Sequence, residues 1–265
     1  MKIVIVGGVA GGASCAARLR RIDEHAEIIM FERGQHISFA NCGLPYYIGQ
    51  VIREEGNLLV QTPEGMKERF NIDVRTESEV VSIDREAKTV TVKNLQAGET
   101  YTESYDKLVL SPGASPIRPA GLDAPNVFTL RNIPDTFAIT NYADTHQAKR
   151  AVVVGGGFIG VEMAENLTER GLAVTLLELA PQIMPPLDPE MAAYLHKHLK
   201  DHGVDLRLGT GLASVSADGR QVTLTSGEVI ETDLTVLGIG VRPETKLAKD
   251  ADLAIGITGG IRVNE

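Results

Sequence analysis

Residues 3–6 form a short run of β-branched apolar side chains that stops at Gly7-Gly8. A stretch of alanines and other small residues follows, and a second apolar run at 28–31 ends on Glu32. This order predicts a buried strand, a tight glycine turn, a helix and a second strand. The order returns later in the chain. Residues 151–154 run into Gly155-Gly156-Gly157-Phe158-Ile159-Gly160, a helical stretch continues to about Arg170, and the apolar run 174–177 ends on Glu178. Gly155 lies 148 residues after Gly7, and Glu178 lies 146 after Glu32. The ends of the two units also match. Tyr105-Asp106 leads through an apolar strand to Ser111-Pro112-Gly113, and Thr232-Asp233 leads through another to Gly238-Ile239-Gly240. Two copies of one architecture are expected.

Within each copy lie short alternating runs. Residues 80–84, 89–93 and 100–105 predict a small antiparallel meander, and 212–216, 221–225 and 228–231 predict its counterpart. The stretch 112–125, with four prolines, reads as the crossover between domains. The expected fold class is α/β, with two Rossmann-like domains, each carrying a small antiparallel β insert.

A glycine turn between strand and helix lets a pyrophosphate approach the backbone, where the helix N-terminus offers free N–H groups and a partial positive charge. An acid about 20 residues on accepts a hydrogen bond from the ribose. In the second copy Gly155, Gly157 and Gly160 complete the pattern and Glu178 supplies the acid. In the first, Gly7 and Gly12 hold the outer positions and Glu32 is the acid, but Val9 replaces the middle glycine. The backbone there must approach phosphate differently, or lean on Gly8. Glu178 is followed by Leu179 and Ala180 with no arginine nearby, which favours a free 2′-hydroxyl and hence NADH over NADPH. Two dinucleotide sites in one chain point to a resident flavin nucleotide and a visiting nicotinamide.

Cys42 sits ten residues after Glu32, in Ser38-Phe39-Ala40-Asn41-Cys42-Gly43-Leu44-Pro45-Tyr46-Tyr47. A second cysteine for a local dithiol is absent, since position 47 is Tyr, so one-thiol chemistry is expected. Asn41 is read as the cap of a helix starting near Cys42, whose N–H groups and dipole favour a thiolate. Cys15, among Ala13, Ala16 and Ala17, reads as a packing residue of the first helix. His196, His198 and His202 share a helix without a clear third ligand or acid cluster, so a solvated face and no metal are expected.

The Ser-Phe-x-Asn-Cys-x-Leu-Pro-Tyr segment, both glycine turns and Ser111-Pro112-Gly113-Ala114 together resemble the single-cysteine branch of the pyridine nucleotide–disulfide oxidoreductases, over the whole chain. Within it the chain looks most like coenzyme A disulfide reductases and the related NADH-dependent persulfide or polysulfide reductases. The resemblance implies FAD in the first copy and NAD(P)H in the second. It makes Cys42 the redox nucleophile, cycling between a thiolate and a mixed disulfide with CoA. Ser38 and Asn41 would flank the CoA thiol end. Ser14, Arg18 and Arg21 would face the CoA nucleotide, and the spacing of the two arginines makes them neighbours on one helix surface. FAD would also meet Gly8, Ala10, Gly11, Arg33, Asn41, Cys42, Val80, Ser111, Pro112 and Gly113. NAD would also meet Ile159, Glu162 and Gly240, and Phe158 would be an aromatic gate over the flavin. Ala10 stands where oxidases and peroxidases of the family carry a histidine, which favours thiol–disulfide or persulfide chemistry over an NADH oxidase or peroxidase.

The resemblance also implies a discontinuous first domain, 1–112 plus 242–265, around a second domain at 113–241. A further flavin-gripping segment, a homodimerisation domain and in some members a rhodanese domain are expected beyond Glu265. On that reading the chain is a fragment with an incomplete flavin site, and a nucleotide-binding fragment without turnover is the non-enzymatic alternative. The composition fits a globular chain: 265 residues, 43% hydrophobic and 23% charged, with a net charge of −9 that disfavours nucleic acid as a partner. Two cysteines make no disulfide framework, and no signal-peptide core or membrane-length apolar run occurs, so a cytoplasmic setting is expected.

Overall fold

The computed structural model describes residues 1–264. Its elements begin with β1 (Lys2–Val6), α1 (Ala10–Ile22) and β2 (Glu27–Phe31), then α2 (Leu44–Ile48), α3 (Pro63–Phe70) and β3 (Asp73–Arg75). A meander β4 (Ser78–Asp84), β5 (Thr89–Asn94) and β6 (Thr100–Ser104) precedes β7 (Lys107–Leu110) and β8 (Ala114–Pro116). The second half runs β9 (Val127–Thr129), α4 (Ile133–Thr145), β10 (Arg150–Val154), α5 (Phe158–Glu169), β11 (Ala173–Glu178), α6 (Pro189–Asp201) and β12 (Asp205–Leu208). It closes with β13 (Leu212–Val215), β14 (Gln221–Leu224), β15 (Val229–Glu231), β16 (Leu234–Leu237), β17 (Val241–Pro243) and α7 (Lys246–Asp250).

Two compact units divide the chain. The first comprises Met1–Ala40, Leu59–Ser115 and the stretch from Arg242 onward. Its parallel sheet has the order β3-β2-β1-β7, and β4-β5-β6 form a separate antiparallel sheet. Strand alternation sorts the core onto two faces. Ile3, Ile5, Ile28 and Met30 pack with Ala13 and Ala16 of α1 and with Met66, while Val4, Val6, Ile29 and Phe31 pack with Val80, Val90 and Val92 of the meander. The small residues of α1 let the helix lie close to the sheet, and Cys15 is half-buried among them.

The second unit comprises Asn41–Leu58 and Pro116–Val241. Its parallel sheet has the order β12-β11-β10-β16-β9, with β13-β14-β15 antiparallel. Val152 and Val154 of β10 meet Val222 and Leu224 of the meander. The Cys42 segment, expected with the first domain, packs here instead. Tyr47 lies against Phe137 at a ring-centroid distance of 5.6 Å, and Arg170 donates to the Ile48 carbonyl at 2.5 Å. A Cβ on Gly49 would come 2.3 Å from Asn166 Oδ1, so only glycine lets the segment sit this close to α5. The proline-rich 112–125 stretch is not a bare crossover, since β8 within it pairs with β17. Among the described residues no helix is long and apolar enough to cross a membrane.

Candidate functional site

The two glycine turns are the same device built twice. In each, the first glycine has a positive φ, 96° at Gly7 and 105° at Gly155. A Cβ on Gly7 would lie 2.0 Å from the Ser111 carbonyl oxygen, and one on Gly155 would lie 2.5 Å from that of Gly238. A Cβ on Gly12 or on Gly160 would lie 1.7 Å from the carbonyl oxygen of Gly7 or of Gly155, respectively. These glycines are therefore required by backbone contact inside the turn, before any ligand is considered.

The acids at the strand ends close both turns. Glu32 Oε2 accepts the Gly8 N–H at 2.8 Å, and Oε1 accepts the Gly34 N–H at 2.8 Å. Glu178 Oε2 accepts the Gly156 N–H at 2.6 Å, and Oε1 accepts the Ala180 N–H at 2.7 Å. Each carboxylate keeps lone pairs for a ribose hydroxyl, because an ionised carboxylate has about four acceptor sites. Gly8 is committed to Glu32 and covered by Ile37, which a Gly8 Cβ would approach to 2.8 Å. It therefore does not substitute for the missing middle glycine. At Gly157, in contrast, a Cβ would meet nothing within 4 Å. The space above the second turn is open where the first carries the half-buried Val9.

A cavity of about 450 Å³ in the first unit gathers Gly7, Glu32, Arg33, Val80 and Pro112. It also holds residues that local patterning did not single out: Glu79, Val81, Glu244, Lys246 and Leu247. The last three arrive on the return segment, where Glu244 Oε1 lies 3.5 Å from Arg33 and the Glu244 N–H donates to the Gly113 carbonyl. Ser111 contributes backbone beneath the turn, while Ala10 and Gly11 are exposed at the start of α1.

A cavity of about 700 Å³ in the second unit gathers Gly155, Gly157, Phe158, Ile159, Glu178 and Gly240. Leu122, Leu179, Pro185, Leu212 and Ile239 add apolar lining, and Glu178 is the one charged residue along it. Gly160 lies beneath the turn. Phe158 is exposed. Both turns fit a dinucleotide: an open or exposed helix start, an acid in place and a cavity beside it.

Cys42 is a free, exposed thiol on a 3-10 turn, Asn41–Gly43, just before α2. Asn41 does not cap that helix. Gly43 is the N-cap residue and makes no side-chain cap bond, and Asn41 Oδ1 is buried without a hydrogen-bond partner. Asn41 lies inside the turn rather than one step before it. Near Cys42, the Tyr46 phenol is held above its ordinary pKa, first by Glu165, then by burial, Glu162 and Cys42. Burial, then Glu165, raises the Glu162 carboxyl. Glu162 thus belongs to the Tyr46 neighbourhood and does not line the second cavity.

Ser14, Arg18 and Arg21 are exposed along α1 at spacings that share one helix face. Among the described residues neither Arg18 nor Arg21 has an acid partner, whereas Arg20 is tied to the carbonyls of Phe70 and Asn71. Ser38 is half-buried with φ 44°, and its N–H donates to the Gly8 carbonyl. The histidines differ from the solvated face expected of them. His198 and His202 are exposed, but His196 Nε2 accepts the Ile183 N–H at 3.2 Å. Among the described residues no group of three or more His, Cys, Asp and Glu side chains gathers as a metal site.

A model of the family described as pyridine nucleotide-disulphide oxidoreductase matches residues 1–265. The coenzyme A disulfide reductase of Staphylococcus haemolyticus is 42% identical over 264 residues, which cover 100% of this chain and 59% of that protein. The crystal structure of reduced Bacillus anthracis CoADR-RHD superposes with a TM-score of 0.97 at 59% identity, covering 100% of this chain and 48% of that one. A NAD-dependent persulfide reductase from A. fulgidus gives a TM-score of 0.96 at 36% identity, covering 100% of this chain and 50% of that one. The chain thus spans about three fifths of the length of the curated relative and about half of each solved chain.

Proposed function

The chain belongs to the pyridine nucleotide–disulphide oxidoreductase family, and from that premise we propose that it is the nucleotide-binding part of an NADH-dependent flavoenzyme reducing CoA disulfide or a CoA-linked persulfide through Cys42. The observation that carries this reading is an exposed free thiol on a tight turn, in a chain with two dinucleotide cradles.

The Gly7–Gly12 turn with Glu32, Arg33 and Val80 would hold FAD, and the Gly155–Gly160 turn with Glu178 would hold NADH. FAD, when bound, relays two electrons from the nicotinamide to sulfur. NADH would be preferred, because in the second cavity a 2′-phosphate would meet the Glu178 carboxylate and, among the described residues lining it, no cation. Arg18 and Arg21 would supply charge for the CoA phosphates and Ser14 a hydroxyl donor, and Arg suits phosphate by its planar fork. Ser38 and Asn41 would flank the CoA thiol end, and the unpartnered Asn41 Oδ1 would receive a substrate donor.

The Cys42 thiolate attacks one sulfur of the disulfide. A Cys42–S–S–CoA bond forms, the old S–S bond breaks, and one CoA thiolate leaves. The two electrons given up by NADH cleave the mixed disulfide and release the second CoA, restoring the thiolate. In sum, NADH, one proton and CoA disulfide give NAD⁺ and two CoA thiols.

The test uses the full-length enzyme, comparing NADH consumption with CoA disulfide, a CoA persulfide, peroxide and oxygen. Fast turnover on the first or second, lost in Cys42→Ser, supports the reading. In Arg18→Ala and Arg21→Ala the KM for CoA disulfide should rise, with little change for a small disulfide lacking the nucleotide. Full disulfide turnover in Cys42→Ser rejects the reading.

A further inference from the structure

We propose that His196 is a positioning residue for the second nucleotide cradle, its neutral imidazole holding the 180–188 loop in the shape that backs Gly156. The inference rests on reading that cradle as the NADH site.

The loop is held at two consecutive backbone positions. The Ile183 N–H donates to His196 Nε2 at 3.2 Å. The next N–H, of Met184, donates to the Gly156 carbonyl at 2.7 Å. Met184 has φ 50°, a left-handed conformation that a side chain disfavours and that its neighbours must impose. Ile183 is fully buried, and its Cγ2 lies 2.6 Å from where a Gly156 Cβ would be. Pro185, two residues on, lines the cavity. The imidazole therefore fixes the turn that supports the crest of the glycine loop from behind.

Only an unprotonated ring nitrogen accepts a hydrogen bond, so the imidazolium would set an N–H against the Ile183 N–H. Burial first, and then Lys200 on the same helix, depress the His196 pKa, so the accepting form prevails at neutral pH. The loop itself carries one titratable side chain, Asp188. β12, packed on α6, carries Asp205 and Arg207, which pair with each other. Glu178 at the end of β11 is bonded to Gly156 and Ala180.

The experiment measures NADH affinity of the full-length protein by nicotinamide fluorescence between about pH 8 and about pH 5, with melting temperature and FAD content as controls. Native affinity should fall several-fold on the acid side. His196→Leu should weaken binding about tenfold at neutral pH, because a buried N–H loses its acceptor, and should remove the acid dependence. His196→Gln, whose Oε1 can accept, should recover most of the affinity and stay flat in acid. FAD content should be unchanged, and kcat at saturating NADH should change little. Native NADH affinity in His196→Leu, or an acid limb surviving in His196→Gln, would overturn the role. Absence of NADH binding by the native protein would instead overturn the nucleotide assignment. If the Leu variant fails to fold, the Gln variant alone decides.

Discussion

Glu178 accepts the N–H of Gly156 at 2.6 Å, so the acid proposed to meet a ribose is also the clasp of the glycine turn. Removing it leaves two N–H groups, of Gly156 and Ala180, without their acceptor. Each part-buried donor left unmade costs about 1–3 kcal/mol. Glu178→Ala should weaken NADH binding at least tenfold and narrow the preference over NADPH, measured by titrating both nucleotides. Unchanged affinity for both would show that the clasp is dispensable.

Two neighbouring glycines separate turn-building from ligand approach. Gly160→Ala puts a methyl 1.7 Å from the Gly155 carbonyl oxygen. It should destabilise the protein by about 1–3 kcal/mol, as overpacking does, and lose NADH binding as well. Gly157→Ala meets nothing within 4 Å. Its melting temperature should stay native while NADH affinity falls, because the methyl enters the space where a pyrophosphate approaches. Equal melting losses in both variants would contradict this division.

Arg170 anchors the segment that bears Cys42. Its side chain is 6% exposed and donates to the Ile48 carbonyl while pairing with Asp144. Arg170→Ala should raise amide exchange across residues 44–52 and slow thiol turnover, with NADH affinity kept. Cys42→Ser, at an exposed position, should abolish disulfide turnover within about 0.5 kcal/mol of native stability. Exchange rates across 44–52 unaltered by Arg170→Ala would remove the anchoring role.

Acid should cost the first unit a specific contact. Burial alone would raise the Glu103 carboxyl, but hydrogen bonds from Lys2 and Arg75 outweigh it and hold the pKa below the usual value. A carboxylate with a depressed folded pKa adds stability above its unfolded pKa and loses it as pH falls through the folded one. Melting temperature should therefore drop in acid, and Glu103→Gln should be less stable at neutral pH with a shallower acid limb. An acid limb of native steepness in that variant would place the titration elsewhere.

The repeated strand–glycine–helix–strand units were legible because buried parallel strands carry unbroken apolar runs and because the tight turns admit only glycine. Glu32 and Glu178 were legible by position, but not their second task of holding Gly8 and Gly156. Two other features depend on residues far along the chain. The Cys42 segment joins the second unit through Phe137, Asn166 and Arg170, about a hundred residues away. Glu244 and Lys246 reach the first cavity on a returning stretch with no motif of its own. The i, i+4 spacing of histidines describes their own helix only, and could not show that His196 meets Ile183. Asn41 misled because a local capping rule reads any Asn before a helix as a cap, whereas here it belongs to the preceding turn.

Each carboxylate clasps a glycine of its own unit, Glu32 holding Gly8 in the first and Glu178 holding Gly156 in the second. On the proposed reading, substitutions around Glu178 that retune which nicotinamide nucleotide is accepted would leave the clasp between Glu32 and Gly8 in place.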